Sequence, residues 1–175
     1  MALGASVYKV NLNLSDTDRH VYLDTRLTLA RHPSETEERM MVRLLAWCLH
    51  AHDDLLFGKG LSTEDEPDVW QVDPSGDILE WIEVGQPSLD RLKKARSRSR
   101  RQFVYSTGRG RDQWWPSVAK ECNAMASLSV RHLDADEVAA LADLAERNMS
   151  LSVYISEGSA LFTSADKSLT ITPQQ

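Results

Sequence analysis

A strand, a tight turn and a return strand between residues 69 and 84 constrain this chain more than any other stretch. Val69, Trp70, Gln71 and Val72 favour extended backbone. Asp73, Pro74, Ser75, Gly76 and Asp77 carry turn chemistry, and residues 78–84 return as a second strand stopped by Gly85, Gln86 and Pro87. Carboxylates frame the unit: Asp65, Glu66 and Asp68 precede its first strand, and Glu83 stands near the end of the second. In an antiparallel hairpin those two ends are neighbours, with opposed Cβ atoms about 5 Å apart.

The periodicity around this unit predicts one α/β domain with a central mixed β-sheet flanked by helices. Residues 7–14 and 21–29 alternate in polarity around the turn residues Ser15, Asp16, Thr17 and Asp18, which reads as an N-terminal hairpin. After His32 and Pro33, Ser34 with Glu37 three positions on fits a capping box. Met40, Met41, Leu44, Leu45, Cys48 and Leu49 then extend a helix to about His50, with one broad apolar face for the sheet. Ser88 caps a second helix, which leads into a strand at residues 103–105, so this part reads as a parallel crossover. A third helical run passes through Trp114, Trp115, Val118 and Met125, with its start blurred by Pro116. A short strand at 128–130, an Asp134-capped helix to Arg147 and strands at 151–155, 160–163 and 169–172 complete the chain.

A length of 175 residues suits one domain with a real core. Hydrophobic and charged contents of 42% and 26% are those of a globular protein, not of a disordered or membrane one. With no basic, apolar leader and no apolar run of about 18 residues, the cytoplasm is the expected location and no membrane partner is expected. Cys48 and Cys122 fall in apolar helical patterns without a CxxC or Cys/His cluster, so buried thiols are expected and neither zinc nor a disulfide is indicated. The net charge of −6 conceals an asymmetry. Nine of the 20 basic residues lie within residues 91–111, with no acid among them, leaving 11 bases against 26 acids elsewhere. Arg96, Arg98, Arg100, Arg101, Arg109 and Arg111 of this band form a candidate footprint for nucleic acid, or else a solvated face.

Phosphodiester hydrolysis uses hard oxygen ligands to hold Mg²⁺ or Mn²⁺. Asp68 or Glu66 together with Glu83 could supply them, Glu38 is the candidate supporting acid on the upstream helix, and Lys93 or Lys94 could bring a cation from the following helix. Gln86 offers a hydrogen bond there but no positive charge. His50, His52, Asp53 and Asp54 are rich in ligand atoms, but i,i+2 spacing does not put both imidazoles on one helical face. Gly108, Arg109, Gly110 and Arg111 form a basic loop without the Lys-Ser/Thr ending of a P-loop. Trp114 and Trp115 could stack on bases, or belong to the core or an interface.

Leu29-Ala30-Arg31-His32-Pro33-Ser34-Glu35-Thr36, Glu38-Arg39-Met40, Gly60-Leu61, Asp65-Glu66-Pro67, Trp70, Trp81-Ile82-Glu83-Val84-Gly85 and the helix with Lys93-Lys94 together resemble the YaeQ family of bacterial proteins over the whole chain. The resemblance implies a PD-(D/E)XK (restriction endonuclease-like) core with extra N- and C-terminal strands. It also implies a Mg²⁺-dependent, nuclease-like site with Glu66, Asp68 and Glu83 as metal ligands. The family pattern Asp-Glu-Pro-x-x-Trp favours Glu66 over Asp68 as the first carboxylate. Glu38 and Glu83 match positions where the superfamily carries acids. The superfamily lysine two residues after Glu83 is Gly85 here, which leaves Lys93 or Lys94 as its replacement. A nucleic-acid-binding module without cleavage and a protein-interaction subunit are the alternatives.

Overall fold

The computed structural model describes residues 4–59 and 65–175; Gly60 and Leu61 of the family pattern lie outside the described residues. The elements are β1 (Ser6–Asp16), β2 (Val21–Arg31), α1 (Glu37–Leu49), β3 (Leu55–Phe57), β4 (Val69–Val72), β5 (Ile78–Val84), α2 (Leu89–Arg98), β6 (Ser99–Ser106), α3 (Arg111–Ala124), β7 (Leu128–His132), α4 (Ala135–Ala142), β8 (Asn148–Ser156), β9 (Ser159–Thr163) and β10 (Ser168–Ile171).

These strands form two five-stranded sheets, where the sequence suggested one: β10-β9-β8-β1-β2 and β3-β4-β5-β6-β7. The cause is a long-range pairing that no local pattern announces. The N-terminal hairpin adds β8 in parallel, with Lys9 opposite Asn148 and Asp16 opposite Ile155. In the second sheet, β4 runs antiparallel to β5, while β5, β6 and β7 are mutually parallel.

Four layers result. Alternate residues of β1 and β8, among them Val10, Leu12, Leu151 and Val153, face the same core as Ile82, Val84 and Tyr105 of the second sheet. Between the two sheets lie α1 and α4, whose Val138 and Leu141 join that core. On the far face of the second sheet, α2 and α3 bury Leu92, Val118 and Cys122 against Val104. Because α1 has a sheet on either side, all of Met40 to Cys48 is buried, in place of the single apolar face expected. Its sequence looks amphipathic only because Arg43, 1% exposed, lies inside that run.

The α1 cap is also corrected. Thr36, not Ser34, accepts from the Arg39 amide at 3.1 Å, so Glu37 is the first helical residue and not the capping-box acid. The expected α2 cap forms, with Ser88 Oγ accepting from the Arg91 amide. Asp134 caps α4 by accepting from the amides of Asp136 and Glu137. That helix ends at Ala142, short of Arg147. Both cysteines are buried, as expected, and burial pushes both thiols upward in pKa.

Candidate functional site

The hairpin brings its acids together as the sequence implied. Val69 pairs with Ile82, so Asp68 and Glu83 stand opposite each other one step further along. Both are buried, at 5% and 4% exposure. Asp68 Oδ2 accepts from the Val84 amide at 2.8 Å, and its Oδ1 accepts from Arg39 Nη2 at 2.8 Å. Glu83 Oε1 accepts from the Trp81 indole at 2.7 Å and from Arg91 Nε at 2.7 Å. Trp81 reaches it because residues two apart share a strand face.

The acid brought in at the start of α1 is Glu35, one residue before the Thr36 cap, rather than Glu38. Glu35 is 3% exposed and takes a two-pronged grip from Arg43, at 3.0 and 2.6 Å, together with Arg39 Nη1 at 2.7 Å. Arg39 therefore bridges Glu35 and Asp68. Burial works against its charge, but the two carboxylates outweigh that and raise its pKa above the ordinary arginine value. Glu38 is exposed and lines a different hollow, with Thr107, Arg109 and Arg111.

Burial, and secondarily the Asp68 charge, pushes Glu83 up to about 7, against the pull of Arg91 and Trp81. The cation beside Glu83 is Arg91, eight residues on, and not Lys93 or Lys94. Lys94 is bonded to Asp65, and Lys93 is exposed. Glu66 turns its carboxylate to the Lys59 amide at 3.0 Å, while its carbonyl accepts from Arg91 Nη2 at 2.8 Å. Asp68, not Glu66, is thus the acid paired with Glu83.

The position two residues after Glu83, where the resemblance implied a lysine, is Gly85. Its φ of +105° is a backbone state that side chains rarely adopt. Its amide donates to Tyr105 O at 2.9 Å, which locks the turn off β5. Gln86 donates to Thr107 O, and its side chain lies where Cβ atoms at Gly108 and Gly110 would come within 3.1 and 2.9 Å of it. Gln86 therefore secures the glycine loop instead of facing the acids.

As arranged, the acids do not fit a Mg²⁺ ion, which needs near-octahedral oxygen ligation with several waters. Both Asp68 oxygens are committed to Arg39 and the Val84 amide, and Glu83 Oε1 to Trp81 and Arg91. Among the described residues no group of three His, Cys, Asp or Glu side chains is placed to hold a metal. His50 is bound to Glu80 at 3.0 Å and Tyr105 at 2.7 Å, whereas His52 accepts from the Asp54 amide, so the two imidazoles do not converge.

The basic band divides in space. Strand β6 spans eight residues, so about 25 Å separates Arg100 and Arg101 at its start from Arg109 and Arg111 past its end. Much of the first group is countered by acids of the hairpin. Arg100 pairs with Asp77 at 2.7 Å and Arg101 with Glu80 at 2.8 Å, while Arg98 donates to Asp65 O and lies over the Trp81 ring. Lys93 and Arg96 are exposed on α2.

Sequence reasoning missed Glu35, Arg39, Arg43, Trp81 and Arg91. The signal for three of them was present: residues 35, 39 and 43 recur at four-residue spacing with opposite charges, so Arg39 and Arg43 share a face of α1 and Glu35, just before its cap, meets them there.

Among the described residues, no helix is long and apolar enough to cross a membrane. The family model described as YaeQ protein matches residues 1–173. The uncharacterized protein YaeQ of Salmonella typhi is 43% identical over 173 residues, covering 98% of this chain and 95% of that protein. Its namesake in Escherichia coli K12 is 42% identical over 168 residues, covering 95% and 92%. The crystal structure of the YaeQ protein from Xanthomonas axonopodis pv. citri superposes with a TM-score of 0.93 at 43% identity, covering 97% of each chain. That from Pseudomonas syringae gives 0.92 at 38% identity, covering 97% of this chain and 94% of the other. The chain belongs to the YaeQ family.

Proposed function

We propose that this chain is a nucleic-acid-binding protein of PD-(D/E)XK-like architecture whose acid pair is held closed by arginines and does not cleave. The observation that carries this reading is the engagement of Asp68 by Arg39 and of Glu83 by Arg91, each at 2.7–2.8 Å, where a metal would need those oxygens. The mixed order of β4, β5, β6 and β7, with the opposed acids at the end of the hairpin, supports the architecture. The binding surface is the outer face of α2 with the start of β6, where Lys93, Arg96, Arg98, Arg100 and Arg101 are exposed. Phosphate contacts there release counterions, so affinity falls steeply with salt.

Duplex and single-stranded DNA and RNA titrated at several salt concentrations, with wild type and a Lys93→Glu, Arg96→Glu variant, test the reading. A steep salt slope that flattens in the variant is expected. Salt-independent binding, or none, overturns it.

A second reading, Mg²⁺-dependent hydrolysis, is favoured by the strand register that sets buried Asp68 opposite buried Glu83, because two opposed carboxylates gain from an added cation. Calorimetric titration of Mn²⁺ into wild type and Glu83→Ala separates the two. Metal binding that the substitution removes supports hydrolysis; its absence in both supports closure.

A further inference from the structure

The three parallel strands β5, β6 and β7 do not send their following helices to one side. α3, after β6, packs on the face with Val104, whereas α4, after β7, packs on the opposite face between the two sheets. The chain therefore parts at the C-terminal ends of two adjacent parallel strands. In open α/β sheets, that parting is where ligands bind. Here it opens a hollow of about 630 Å³ between the start of α3 and the end of β7, within the size range of small-molecule sites.

We propose that this crevice binds a nucleotide unit, a planar base joined to a ribose phosphate. Trp115 and Pro116 line it, and the Trp115 ring, half-buried, meets the His132 ring edge-on at 4.9 Å. His132 Nδ1 is taken by buried Ser106 at 2.6 Å, which fixes the imidazole and leaves Nε2 for a base edge. Burial, and secondarily Arg111, lowers the His132 pKa, so a neutral ring that can donate or accept lines the hollow. Arg111 stands on the ridge shared with a second hollow of about 340 Å³ that contains Arg109 and Glu38. Its Nη1 donates to Leu133 O at 2.6 Å, which holds the guanidinium at the junction. A base against Trp115 thus places its sugar and phosphate toward Arg111 and Arg109, with Glu38 able to accept from ribose hydroxyls. This site is independent of the α2 surface, being at the other end of β6.

Two sources share this chemistry: a free mononucleotide and the end of a nucleic-acid strand. The test is calorimetric titration of the four ribonucleoside monophosphates, and of short single-stranded oligonucleotides, into the full chain. Saturable binding at millimolar or tighter concentration is expected for at least one base. Trp115→Leu should weaken it roughly tenfold or more, the usual effect of losing a base-stacking ring. Arg111→Gln should also weaken it, whereas Asp112→Asn, which removes an 89% exposed carboxylate 3.5 Å from the Arg111 guanidinium, should strengthen binding of the anionic phosphate. Mononucleotide binding that oligonucleotides do not match assigns a free nucleotide; tighter oligonucleotide binding that needs the terminal nucleotide assigns a strand end. The Lys93→Glu, Arg96→Glu variant should bind mononucleotides as wild type does, so failure of the α2 surface and failure of the crevice are distinguishable. No binding of any monophosphate, or binding unmoved by all three crevice substitutions, overturns the proposal.

Discussion

Two regions share the C-terminal edge of the parallel strands, and they are built in opposite ways. At the end of β5, Asp68 and Glu83 are buried and tied to Arg39 and Arg91, with Glu35 and Arg43 behind them. At the ends of β6 and β7, Trp115, His132 and Arg111 are half-exposed around open space. The first region carries the carboxylates that attract attention in the sequence, yet its bonding groups face one another. The second has no recognisable motif, and its groups are only partly engaged, His132 by Ser106 and Arg111 by Leu133 O and the exposed Asp112. Charge density alone does not mark a site; what separates the two is whether the polar groups are already spent on the protein.

The strongest challenge to this comparison is Arg43→Met. Removing one of the two guanidiniums on buried Glu35 leaves Arg39 alone to compensate it and should cost about 3 kcal/mol in urea unfolding. Arg111→Gln, at the open region, should stay within about 1 kcal/mol. Equal costs would erase the distinction.

Next in size is the pH dependence set by Glu83. Its folded pKa of about 7 lies above the ordinary 4.5, so the native state binds more protons than the unfolded state between those values. Its favourable contribution is therefore present below about pH 4.5 and lost as the pH rises through about 7, a change of up to about 3 kcal/mol. Glu83→Gln should flatten unfolding stability across that window and raise it above about pH 7. An unchanged slope would mean that Glu83 is not the group held protonated.

Introducing a lysine two residues after Glu83 is a smaller perturbation. Gly85→Lys forces a side chain onto a φ of +105° and should lower stability by about 1–2 kcal/mol, without conferring nuclease activity, because Arg91 already occupies Glu83. Cleavage by this variant would show that the arginines yield to a metal. Least of all, Arg100→Gln removes an exposed pair with Asp77 and should change stability by no more than about 1 kcal/mol. Thermal melts that resolve a larger loss would move this end of the band from binding surface to framework.

Much of the fold was legible because its signals are local. Alternation gave β1 and β2, turn chemistry gave the β4–β5 hairpin, and side-chain caps marked α2 and α4. Hairpin geometry put Glu83 beside Asp68 or Glu66 and the family pattern favoured Glu66, whereas the strand register sets Asp68 opposite Glu83. β3 was missed because three residues carry too little periodicity. The second sheet was missed because the β1–β8 pairing joins residues almost 140 positions apart. Glu38 was favoured over Glu37 because the expected capping box gave Glu37 a local role, and Glu35 was missed because burial beneath Arg43 leaves no local cue.

The sequence by itself determined the family, the hairpin, the acid pair at its end and the acid-free basic run, since each depends on residues close together or on a recognisable pattern. Only the tertiary structure decided that arginines close the acids, that β6 splits the basic run between two ends of a sheet, and that diverging helices open a crevice beside Trp115. Those outcomes depend on which distant groups share one low-dielectric space, where an unpaired charge is costly and a partner from any part of the chain can relieve it.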